Sequence, residues 1–65
     1  MEIEKQSPDR IILSLDLAEL RIVNNALNEV CNALPRASFD TRMGASLVEA
    51  KALLSALNTA LPSGD

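Results

Sequence analysis

The sequence predicts an α+β fold, mostly α, in which a short N-terminal strand is followed by two amphipathic helices, about 17–34 and 47–60, packed as a hairpin. Three observations predict it. The run Arg10-Ile11-Ile12-Leu13-Ser14-Leu15 opens with β-branched residues and places Ile11, Leu13 and Leu15 on one side of an extended chain. Two capping signatures, Asp16-x-x-Glu19 and Ser46-x-x-Glu49, each stand before apolar residues at helical spacing. Pro35, Gly44 and Pro62 punctuate the chain around those stretches, where proline cannot continue a helix and glycine tolerates a positive φ.

Taken in order, residues 1–9 are polar apart from Ile3 and end in the turn-forming cluster Ser7-Pro8-Asp9. They read as a frayed tail or a weak edge strand. The strand at 10–15 needs a partner, because a lone strand leaves its backbone groups unpaired. Three partners are open: a hairpin with Glu2 to Lys5, a short pairing with Phe39 to Met43, or a strand from another molecule. In the first helix Leu20, Val23, Leu27, Val30, Cys31 and Leu34 form one stripe, flanked by Leu17 and Ala26. Arg21, Asn25, Asn28, Glu29 and Asn32 fall opposite, with Asn24 on the border. Residues 35–45 read as a connection, extended near Phe39 to Met43, with Gly44 at positive φ. In the second helix Leu47, Ala50, Leu53, Leu54, Leu57 and Leu61 line one face, and Val48, Ala52, Ser55, Ala56 and Thr59 form a second face of mostly small residues. Residues 62–65 read as a second frayed end.

Composition narrows the function classes. The 65 residues make one small domain, and a chain this short buries only ~60% of the surface its unfolded form exposes, so help from a second chain is expected. One cysteine cannot form an internal disulfide, which points to the reducing cytoplasm. One cysteine and no histidine cannot supply a structural zinc site, so no metal or other cofactor is expected. No apolar run approaches the roughly 20 residues of a membrane span. Six basic residues, scattered singly, against nine acidic ones give a net charge of -3, without the clustered positive footprint of a nucleic-acid binder. Without histidine, acid–base chemistry falls to carboxylates and lysines, and Asp16 and Glu49 already serve as caps. Cys31 lies in the apolar stripe and reads as a structural thiol. A non-enzymatic protein is expected.

Two constellations suit protein recognition. Asn24, Asn28 and Asn32 step by four along the first helix with Asn25 alongside, presenting a row of amide donors and acceptors. That row is either a recognition face or a solvated one. Phe39-Asp40-Thr41-Arg42 is the second: Phe39 either plugs the end of the two-helix core or anchors an interface, since aromatic and arginine side chains dominate binding hot spots. The candidate partner-binding residues are therefore Asn25, Asn28, Glu29, Asn32, Phe39, Asp40 and Arg42.

The same segments carry a resemblance. Asn24-Asn25-Ala26-Leu27-Asn28-Glu29-Val30-Cys31-Asn32, then Phe39-Asp40-Thr41-Arg42-Met43-Gly44, then Glu49-Ala50 with Leu53-Leu54, resemble a group of small bacterial proteins. That group is built around an Asn-Ala-Leu-Asn-Glu-Val segment, a Phe-x-Thr-Arg-x-Gly loop and a Glu-Ala-x-x-Leu-Leu helix, and the likeness runs from Ile12 to Leu57. Such short acidic proteins resemble the immunity proteins of polymorphic or contact-dependent toxin systems, whose toxins are often nucleases. The resemblance implies a cytoplasmic inhibitor that binds a cognate toxin, with no direct contact to nucleic acid or membrane. Ala33 departs from the pattern, which has glycine there; the first helix should run on to Pro35, which puts the carried-over role of Asp40 to Arg42 in question. From a different class, the residues also fit a homodimeric structural or regulatory module, joined through the strand at 11–15 or the small face of the second helix.

Overall fold

A computed structural model describes residues 1–62. Its elements are β1 (Glu2–Ser7), β2 (Arg10–Ser14), α1 (Leu17–Ala33), α2 (Arg36–Met43) and α3 (Leu47–Asn58). The α+β, mostly α, class is as the sequence predicts, with two additions. Residues 2–7 are a strand and not a frayed tail, and residues 36–43 are a helix and not a connection. Residues 63–65 of the expected C-terminal fray lie outside the described residues.

β1 and β2 form an antiparallel hairpin, the first of the three open pairings, with Ile3 opposite Leu13, Glu4 opposite Ile12 and Lys5 opposite Ile11. The register shifts between Lys5 and Ser7, so Gln6 is the extra residue of a bulge. The turn explains the bulge. Pro8 holds φ near -65°, and no non-glycine residue among those described has positive φ, which rules out the I′ and II′ turns whose twist suits a two-residue hairpin loop. The bulge adds the twist that the turn does not supply.

α1 begins at a complete capping box. Asp16 Oδ1 accepts the Glu19 N–H at 2.8 Å, and Glu19 Oε1 accepts the Asp16 N–H at 3.0 Å. The helix ends at Leu34, whose extended backbone (φ -72°, ψ 136°) is what a following proline demands. The absence of glycine at Ala33 thus carries α1 to the residue before Pro35. α2 has no side-chain cap, but Pro35 presets its entry and Gly44 closes it at φ 70°, donating its N–H to Asp40 O at 2.9 Å. α3 repeats the capping box: Ser46 Oγ accepts the Glu49 N–H at 3.1 Å, and Glu49 Oε1 accepts the Ser46 N–H at 3.0 Å.

α1 and α3 pack against each other, α2 packs on α3, and neither strand packs on any helix. The core is correspondingly small: Phe39, 1% exposed, and Ala50 are its buried apolar residues, with Leu20, Leu27, Val30, Cys31, Leu34, Leu54 and Leu57 half-buried around them. The stripe of α1 is turned slightly from its expected position, because Asn24 is buried while Val23 is exposed. The Asn24 Oδ1 has no hydrogen-bond partner.

Candidate protein-binding surface

Four of the seven expected partner-binding residues form one exposed face. Asn25, Asn28, Glu29 and Asn32 recur at three- and four-residue steps along α1, and all are exposed. Within this face the Asn32 Nδ2 donates to the Asn28 main-chain oxygen at 2.9 Å and lies 3.4 Å from its Oδ1. One amide of the row is thereby held in place along the helix. Asp40 and Arg42 are exposed on α2, which packs on α3 and not on α1, so the fold does not join them to the asparagine face through helix packing. Phe39, one of the seven, takes the core-plug reading of the two left open for it, and not the interface-anchor one. At 1% exposure it offers no area to a partner and serves as the core plug, because the core has no other aromatic ring to fill it.

A second surface is apolar, and sequence reasoning only partly found it. Cross-strand partners share a sheet face, which puts Ile3, Ile11 and Leu13 together with Lys5. With no helix against them, these three apolar side chains are 53–64% exposed. On the helical side a groove of about 410 Å³ is lined wholly by apolar side chains: Ile22, Val23, Leu27 and Val30 of α1, Leu53 and Leu57 of α3, together with Ala26 and Met43. Ile22 is 70% exposed and was assigned to no face by the periodicity; the signal was there in Ile22, Val23, Ala26 and Val30, a second apolar stripe beside the first.

An ion pair ties the start of the hairpin to α1. The α-amino group of Met1 lies 2.8 Å from Glu19 Oε2, the same carboxylate that completes the α1 cap through its other oxygen. The hydrogen bond from the amine, reinforced by the N–H of Asp16, lowers the Glu19 pKa, and the carboxylate in turn raises that of the amine. The Glu49 carboxyl is lowered by the Ser46 N–H and then by the Ser46 side chain. Cys31 is half-buried and free. Among the described residues no three acidic or cysteine side chains cluster as metal ligands, and no helix is long and apolar enough to cross a membrane.

Comparison of the chain with protein-family models, with curated proteins and with solved structures returns no match.

Proposed function

We propose that this chain is a non-enzymatic protein-binding module whose role is to neutralise a cognate toxin domain, as an immunity protein does, by non-covalent inhibition. The observation that carries the protein-binding class is the exposure, among the described residues, of ten large apolar side chains, gathered mainly on the hairpin and along the α1–α3 groove, since patches of that kind mark interaction sites. The toxin-directed role draws on the resemblance and on charge. An excess of acidic over basic groups steers association with a basic protein such as a nuclease, and the Asn25, Asn28, Glu29 and Asn32 face supplies uncharged donors and acceptors for register. The inhibitor works in the cytoplasm, where the single free thiol stays reduced.

The test is co-expression of the tagged chain with the product of the adjoining upstream gene, followed by the mass of the eluted species and the growth of the host. A stable heterocomplex that relieves toxicity is expected. Replacing Asn28 and Asn32 together by alanine should weaken that complex and leave the melting temperature unchanged; unaltered affinity removes this face from the interface. A second reading, a homodimeric structural or regulatory module without a toxin partner, is favoured by the apolar surface itself. A clean homodimer with no heterocomplex and no rescue selects it.

A further inference from the structure

The chain is too open for its size. A folded monomer of 7.0 kDa exposes about 4,000 Å², whereas this one exposes 5096 Å². The excess of roughly 1,000 Å² is close to the ~800 Å² that each partner contributes to a standard stable interface. The radius of gyration agrees: 13.2 Å, against about 11 Å for a compact domain of this length. The extents of 36 × 34 × 15 Å describe a slab in which the hairpin stands beside the helices and covers none of them.

We infer that a second copy of this chain closes the slab, each copy laying the Ile3, Ile11 and Leu13 face of its hairpin into the α1–α3 groove of the other. Both apolar surfaces are on one chain, neither is covered by its own chain, and a twofold axis satisfies both at once, because a contact from the hairpin of one copy to the groove of the other is repeated in reverse. A closed pair also gives the hairpin and the helices the second layer that a stable domain requires. This inference rests on the protein-binding reading but is independent of a toxin. The asparagine face of α1 contributes no residue to the groove and stays outside the contact.

The experiment is light scattering coupled to size exclusion, over a dilution series, on the wild-type chain and three variants. Wild type should elute at roughly twice 7.0 kDa. Ile22→Glu in the groove and Leu13→Lys on the hairpin should each raise the dimer dissociation constant at least about a hundredfold, because the twofold axis makes each substitution remove the burial of two aliphatic side chains per dimer. Val48→Glu, at a position 78% exposed and outside the groove, should change nothing. Mixing the Ile22→Glu and Leu13→Lys chains should restore the dimeric mass. One contact of that heterodimer is native and the other sets a lysine against a glutamate, so the mixture also recovers chains that are unfolded when alone. A monomeric wild type overturns the inference, as does a dimer that survives either variant, is lost on Val48→Glu, or is not restored by mixing. A monomer that still captures the upstream gene product leaves the toxin-inhibitor proposal standing, and a dimer that captures nothing leaves only the self-association.

Discussion

Phe39 is the residue on which the fold most depends, and truncating it to alanine gives the sharpest test of where its ring lies. The side chain is 1% exposed and is, among the described residues, the one large side chain fully enclosed. Phe→Ala at such a site costs about 3–5 kcal/mol, the transfer of the ring plus the cavity it leaves. A chain of 65 residues has a total stability on the order of 3–10 kcal/mol. The variant should therefore lose about 12–40 °C of melting temperature, at 4–8 °C per kcal/mol for a domain this small, and at the upper end should not fold. Thermal melts followed by far-ultraviolet circular dichroism measure this directly, and Phe39→Leu, which refills most of the volume, should recover more than half of the loss. If Phe39→Ala melts within a few degrees of wild type and instead abolishes partner binding, the ring is an interface anchor and its assignment to the core is wrong.

The remaining predictions concern helix ends and pH. Gly44→Ala should cost about 1–2 kcal/mol in a urea titration, because Gly44 has φ 70° and a Cβ there meets no neighbour, so only the backbone is strained; Gly44→Asn should cost less, and equal stability of all three refutes the left-handed cap. Asp16→Ala and Ser46→Ala should each cost about 0.5–2 kcal/mol through loss of a capping box, and a cost near zero at both would mean that solvent satisfies those helix ends equally well. Glu19 and Glu49 have folded pKa values below their unfolded ones, so their contribution is complete above the ordinary carboxylate range and is lost as pH falls through the folded values. The acid limb of a melting-temperature profile should flatten in the Glu19→Gln, Glu49→Gln double variant. The Met1 amine is shifted the other way, above 8.0, so its contribution is complete below that pH and is lost as pH rises through the folded value. Acetylating the amine should abolish the alkaline limb.

The residues that announced themselves in the sequence were those whose chemistry is local. Asp16 with Glu19 and Ser46 with Glu49 fix helix starts through side chains three residues apart, which any reader of the chain can see. Gly44 was readable for the same reason. α2 was not, because Arg-Ala-Ser-Phe-Asp-Thr-Arg-Met has a single strongly buried position and no apolar stripe, and its start has no capping side chain. The usable signal was Pro35 just before it and Gly44 just after it. β1 was obscured because Glu2, Glu4 and Lys5 are polar and only Ile3 reports a period; the pairing is held by backbone bonds and by a turn, neither of which has a hydrophobic signature. In the candidate surface, the asparagine face followed directly from helical spacing. Phe39 could not be placed in the same way, since an aromatic residue in an assumed loop looks identical whether it points in or out. Asn24 shows the limit from the other side: it occupies a core register position, and its amide chemistry argued for the border.

The separation of the hairpin from the helices has a consequence for motion. A two-stranded hairpin alone in water is marginal, so in a free chain the amide protons of β1 and β2 should exchange with solvent in near-independence of those in α1 and α3, as two cooperative units of unequal stability. Self-association would then act as a ligand for the weaker unit. Amide protection in the strands should rise with protein concentration while that in the α1–α3 pair changes less, so the state of the hairpin becomes a readout of how much of the chain is present.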